Sequence, residues 1–280
     1  MSDGGPERDG EDPNAEEQYH LAVSPGEVAE TVLLPGDPDR VDLITDLWDA
    51  AKAVAHEREY RTATGEVDGT PVSVTSTGIG APSAAIAVEE LARVGVDTVL
   101  RVGSCGSLQP EMSVGDLVIT TGAVRREGTT AAYVREDYPA TAHDEVVAAL
   151  VAAAERLDHD YHVGVTATTD SFYAGQGRPA YGGYEPPDSE ESLEGLRRAG
   201  VKNVEMEAAA VLTLASLFDL RAGAVCTVYA DRAADEFATE GQTAAAETAS
   251  LAASILAEMD RQKREAGIDR WHPGLSIAPD

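Results

Sequence analysis

Two arginines stand where short apolar runs give way to glycine-bearing turns. Arg40 closes LLPGDPDR, and Arg101 interrupts DTVLRVG just before SCGS. A third turn of this kind, STGIGAPS, follows the run PVSV. Backbone N–H groups at such turns, with a helix dipole behind them, suit an anion. A guanidinium can grip the same anion through two parallel bonds. Taken singly, each feature reads as an ordinary strand-to-helix turn whose arginine pairs with one of the abundant acids. Arg101 resists that reading, because an unpaired charge at the end of an apolar run is costly. In open α/β sheets ligands sit beyond the carboxyl ends of strands, so the three turns predict one anion site there.

The elements that must position such a site alternate along the chain. TVLLPGD ends a strand, and DPDRVDLITDLW predicts a helix with Asp37 as N-cap and Pro38 at its first position. PVSVTSTGIG, DTVLRVGSCGSL, DLVITTGAV, HVGVTATTDSF and AGAVCTVYADR each predict a strand, the first two running into turns. APSAAIAVEELARVG predicts an amphipathic helix closed by Gly95. HDEVVAALVAAAERL, most of NVEMEAAAVLTLASLF and the long TAAAETASLAASILAEMDRQKREAG predict further helices. The alternation predicts an α/β fold, a twisted mixed sheet covered by helices. GRPAYGGYEPPDSEES reads as a mobile surface loop or lid. Residues 1–17 read as an acidic disordered tail, 18–268 as one catalytic domain, and 269–280 as an irregular C-terminal tail.

Composition narrows the classes. The 280 residues carry 50 Asp and Glu against 21 Lys and Arg, a net charge of −29, which argues against nucleic acid as a partner. Lysine occurs only at Lys52, Lys202 and Lys263. That balance predicts adaptation to concentrated salt, where self-repulsion is screened. No stretch of 18 apolar residues exists and the N-terminus lacks an apolar run, so a soluble cytoplasmic protein is expected, without membrane contact. Cys105 and Cys226 are far apart in sequence and read as reduced thiols. His56, His143, His159, His162 and His272 show no metal-ligand pattern.

GDPDR, YHL, HEREY, STGIGAPSAAIAVEEL, RVGSCGSLQ, VGVTATTDSFYAGQGR, NVEMEAA and RAGAV with YADR, in that order over residues 19–260, resemble the uridine phosphorylases of the nucleoside phosphorylase superfamily. The resemblance implies phosphorolysis, the splitting of a nucleoside by inorganic phosphate to a free base and ribose 1-phosphate, with no cofactor. Gly36, Arg40, Arg101 and Ser104 match phosphate-binding positions. Arg58 matches an arginine that reaches the phosphate in a neighbouring subunit. His20 matches a histidine that crosses the same interface to the ribose 5′-hydroxyl. Glu207 matches the carboxylate that binds the ribose 2′- and 3′-hydroxyls, with Met206 packing on the sugar. Gly106, Phe172, Gln176 and Arg178 match base-binding positions, the last two reading the uracil edge, and Asp231 and Arg232 lie nearby. Arg101, Glu207 and Arg178 are the expected catalytic groups. Glu59, Ile79 and Ser83 match positions that in some relatives bind potassium between subunits. A homo-oligomer of shared sites, a hexamer built from dimers, is implied.

Two departures from the pattern bear on specificity. SCG stands where the family often has a threonine pair, so Cys105 lacks a hydroxyl that Ser104 keeps. Asp231 stands where uridine phosphorylases usually carry asparagine. Purine nucleoside phosphorylases carry aspartate there, where it protonates the base, and a guanosine or inosine phosphorylase is the alternative expectation. A nucleoside hydrolase is disfavoured by the arginine set. A catalytically dead nucleoside-binding protein is disfavoured by the intact motifs.

Overall fold

The computed structural model describes residues 17–187, 189–231, 236–237 and 241–276. The apolar run Thr31–Pro35 forms β1 and is followed by α1 (Arg40–Thr45). Side chains alternate across β1: Val32 and Leu34 enter one core and Leu33 the other. Next come β2 (Ala50–Glu57), β3 (Tyr60–Val67), β4 (Thr70–Thr75), α2 (Ala81–Arg93) and β5 (Thr98–Ser107). Then follow β6 (Leu117–Arg126), β7 (Ala140–Thr141), α3 (Asp144–Arg156), β8 (Tyr161–Thr169) and α4 (Ser189–Arg198). The chain continues through β9 (Asn203–Glu205), α5 (Ala208–Leu217), β10 (Arg221–Asp231), β11 (Glu236–Phe237) and α6 (Gln242–Ala266).

All the strands join one mixed sheet in the order β11-β10-β6-β8-β9-β5-β1-β4-β3-β2, with β7 beside β6. β10 also pairs in parallel with β5, from Arg221↔Thr98 to Asp231↔Ser107. The strands β5, β9, β8, β6 and β10 therefore close on themselves as a small barrel, and β1 to β4 extend from it as an open wing. Helices cover both faces. One core gathers residues of α1, α3 and α6 under Leu33, Leu100 and Val102. The other gathers residues of α2 and α5 under Val32, Leu34 and Val99. Ala84, Ala87, Val88 and Leu91 give α2 its buried stripe at helical spacing. From Ala208 to Ala215, α5 is buried all round, as its apolar composition demands.

Several expectations shift. α1 starts at Arg40 with Asp39 in the capping position and no side-chain cap bond. Asp37 instead shapes the preceding turn: its carboxylate accepts the Asp39 N–H at 3.0 Å and its carbonyl the Arg40 N–H at 3.1 Å. GSCGS is no turn, because β5 runs straight through it to Ser107. The acidic 177–192 segment is not all loop, since a short turn at Tyr181–Gly183 leads to α4. The hairpin of β2 and β3 is absent from the sequence reading. It is an edge ribbon, largely exposed along β2 and rich in polar side chains.

Candidate active site

A cavity of about 430 Å³ opens beyond the carboxyl ends of β1, β5, β9 and β10. Its lining brings together Gly36, Arg40, Arg101, Ser104, Gly106, Phe172, Gln176, Arg178, Met206 and Glu207, ten of the sequence-predicted residues. Ile79 also lines it.

Arg101 is 4 % exposed and lies between two carboxylates. Its Nε donates to Glu205 Oε2 at 2.8 Å and its Nη2 to Glu207 Oε2, while Nη1 is buried without a protein partner. Burial opposes the guanidinium charge, but Glu207 and Glu205 together raise its pKa above the ordinary value. Gly103 makes room for this arrangement. A Cβ there would lie 2.8 Å from both Arg101 Nη2 and Cys226 Sγ. The glycine that seemed to mark a turn is therefore a packing necessity inside a strand.

Glu207 occupies the capping position of α5 but makes no side-chain cap bond. Its carboxylate leaves the helix, accepting the Gly80 N–H at 2.6 Å as well as Arg101. Gly80 presents that N–H from a backbone with φ +99°, a conformation that favours glycine. Burial, opposed by Arg101 and reinforced by Glu205, pushes the Glu207 pKa up. The orphan N–H groups of α5 are met instead by Glu205, absent from the sequence reading. Its Oε2 accepts from the N–H of Glu207 at 2.8 Å and of Ala208 at 2.9 Å. The sequence signal was the acid alternation V-E-M-E at a strand end, where two acids two residues apart share one face.

Arg40 meets Tyr229, also missed. The phenol oxygen accepts from Nη2 at 3.3 Å, and the guanidinium lies 5.5 Å from the ring centroid. Burial raises the Tyr229 pKa against the opposing charge of Arg40. Gln176 sits at the end of a short 3₁₀ turn, buried, and Arg178 Nη1 donates to its Oε1 at 2.6 Å and to the Phe172 carbonyl at 2.8 Å. The Arg178 guanidinium stacks 4.0 Å from the Phe172 ring centroid. The amide, the guanidinium and the aromatic face thus form one unit.

Cys105 and Cys226, remote in sequence, become neighbours on β5 and β10. Burial first, then the Cys226 thiol, pushes the Cys105 pKa up, so it faces the cavity as a neutral thiol.

Four predicted residues stand outside this cavity. His20 is tied to the buried Glu90: its Nδ1 lies 2.6 Å from Oε1, and its N–H donates to Oε2 at 3.0 Å. Arg58 holds a left-handed backbone (φ +54°) and stacks 6.0 Å from the Tyr19 ring. Glu59 and Ser83 both flank Gly78, where a Cβ would meet Glu59 Cγ at 2.8 Å and Ser83 Oγ at 3.4 Å. Ser83 Oγ donates to the Ile79 carbonyl at 3.3 Å, so Glu59, Ile79 and Ser83 share one place. Arg232 and the side chain of Asp231 lie outside the described residues, as do residues 1–16 and 277–280.

This site occurs in a chain whose residues 30–258 match the family model described as the phosphorylase superfamily, and the chain belongs to that family. It is 55 % identical over 267 residues to a uridine phosphorylase of Thermococcus kodakarensis, covering 95 % of this chain and 96 % of the relative. It is 47 % identical over 211 residues to a guanosine phosphorylase of Halorubrum lacusprofundi, covering 75 % and 82 %. A uridine phosphorylase of Escherichia coli is 43 % identical over 221 residues, covering 78 % and 87 %. Among the described residues, no helix is long and apolar enough to cross a membrane.

Proposed function

We propose that the chain catalyses the phosphorolysis of uridine to uracil and ribose 1-phosphate. The observation that carries this is Arg101: a buried guanidinium, fixed by two carboxylates, that lines a cavity of about 430 Å³ and keeps one buried nitrogen, Nη1, without a protein partner. An orphaned charged donor is expensive unless a ligand meets it. A phosphate oxygen meets it, with Arg40 and Ser104 contributing from the same lining. Phosphate held there attacks ribose C1′ as the glycosidic bond breaks through an oxocarbenium-like transition state. Glu207 grips the 2′- and 3′-hydroxyls and favours the positive charge developing on the ring. The departing base gathers negative charge, which Arg178 and Gln176 stabilise. Gln176 Oε1 keeps a lone pair for a uracil N–H beyond its bond to Arg178.

The described lining holds three arginines (Arg40, Arg101, Arg178) and three carboxylates (Asp37, Glu205, Glu207). A phosphate dianion therefore enters a cavity with no net positive charge, and a further cation is needed. Arg58 from a second copy supplies it, and His20 from the same copy meets the ribose 5′-hydroxyl. The working form is thus an oligomer, a hexamer built from dimers. Glu59, the Ile79 carbonyl and Ser83 offer hard oxygen donors of the kind potassium takes, and paired copies would double the set. Such an ion would fasten subunits together. The acidic surface suits concentrated salt, and the working place is the cytoplasm.

A second reading has its own support: the guanosine phosphorylase relative and the aspartate at position 231 favour a purine. Assays of phosphate-dependent cleavage over uridine, thymidine, cytidine, inosine, guanosine and adenosine in high salt decide. The expected preference for uridine is at least about tenfold in kcat/KM, a difference of ~1.4 kcal/mol. Guanosine or inosine as the better substrate, with Asp231→Asn abolishing its cleavage, establishes the purine reading.

A further inference from the structure

We propose that Glu205 is a positioning residue for the reaction, holding Arg101 by its Nε edge so that Glu207 is free to leave the guanidinium for ribose. The inference rests on the phosphorylase reading of the cavity. Arg101 is shared. Glu205 takes Nε at 2.8 Å, Glu207 takes Nη2, and Nη1 has no protein partner. If Glu207 turns to the ribose hydroxyls during turnover, Arg101 loses one of its two counter-charges. Glu205 remains, because it is anchored from behind. Its Oε2 accepts two backbone N–H groups at the start of α5, and its Oε1 accepts from Thr168 Oγ1 at 2.5 Å. Thr168 Oγ1 itself accepts the Ala209 N–H at 2.9 Å. A carboxylate 3 % exposed with this many fixed donors cannot follow the substrate. It keeps the guanidinium charge-balanced and in one plane while its neighbour changes partner.

The anchoring also separates two kinds of effect. Glutamine at position 205 can still accept at one oxygen from the helix N–H groups and donate to Thr168, so the local frame survives. What is lost is the negative charge facing Arg101 Nε. Arg101 then leans on Glu207 alone and holds it away from ribose, while the cavity becomes one unit less negative toward phosphate. Expected for Glu205→Gln is a kcat at least tenfold below wild type, with the KM for phosphate no higher than wild type. The acid limb of the kcat–pH profile moves to lower pH, because the Glu205 charge no longer raises the Glu207 pKa. A kcat within twofold of wild type with an unmoved acid limb overturns the proposal. So does an equal rise in both substrate KM values at unchanged kcat, the mark of general loosening. If Glu205→Gln does not accumulate folded, Thr168 carries the test, since it does not line the cavity. Thr168→Ser is expected within twofold of wild type in kcat and Thr168→Val at least fivefold lower, whereas wild-type kcat in Thr168→Val overturns the proposal. Phosphate-independent turnover by the wild type would instead overturn the underlying reading of the cavity.

Discussion

Replacing Arg101 by methionine keeps an apolar stem of similar length and removes only the guanidinium. Two losses follow, and both can be sized. In catalysis, removal of one preorganised donor to a developing anion costs on the order of 10²–10³ in rate, about 2.7–4 kcal/mol. Arg101 also orders Glu207, so kcat/KM is expected to fall by roughly the upper figure, ~10³. In stability, the variant leaves Glu205 and Glu207 buried with no counter-ion. Breaking a buried pair from one side costs about 3–5 kcal/mol. At roughly 2–4 °C per kcal/mol for a domain of this size, Tm drops by about 6–20 °C. The pH dependence has a definite sign. Glu207 already titrates above its ordinary value with Arg101 present, and further above it without. A carboxyl with a raised folded-state pKa contributes stability that is present at low pH and lost as pH rises through that raised value. The Tm gap between wild type and Arg101→Met is therefore expected to narrow between pH 7 and pH 5. Melting curves by calorimetry across that range, with initial rates at saturating phosphate, give both quantities. A gap that widens or stays constant on acidification refutes the charge-pair reasoning, and kcat/KM within tenfold of wild type refutes the phosphate role.

Gln176→Ala and Arg178→Ala are expected to lose most uridine cleavage while Asp231→Asn keeps it, measured as kcat/KM on uridine. Mixing inactive Arg58→Ala with inactive Glu207→Ala should restore part of the activity once subunits exchange, because hybrid pairs regain one site with neither defect. No recovery after demonstrated exchange contradicts shared sites. With a net charge of −29, Tm and oligomeric state should rise from dilute buffer to molar potassium chloride, and an unchanged Tm contradicts salt adaptation.

What the sequence revealed and what it hid have physical causes. Buried strands such as β1 and β10 announce themselves by apolar runs, and α2 by its apolar stripe. The β2–β3 hairpin does not, because an exposed edge ribbon needs no apolar alternation: Lys52, His56 and Glu57 all lie in β2. The pairing of β5 with β10 joins segments over 100 residues apart, and no local signal encodes it. That pairing also misled the reading of GSCGS, since glycines that permit close packing look like glycines that permit a turn. Arg101, Glu207, Gln176 and Arg178 were legible through their motifs, and the fold brings all four to one cavity. Glu205 and Tyr229 were not, because each acts through an arginine contributed by a distant strand or helix.

The central claim is that phosphate, seated on Arg101, is the group that cleaves the nucleoside. Incubation of the full-length protein with uridine and inorganic phosphate in molar salt, followed by ³¹P NMR, tests it most directly. The account predicts a new sugar-phosphate resonance growing in step with free uracil, and no uracil release when phosphate is withheld. Equal release of base with and without phosphate, with inorganic phosphate unconsumed, would contradict it.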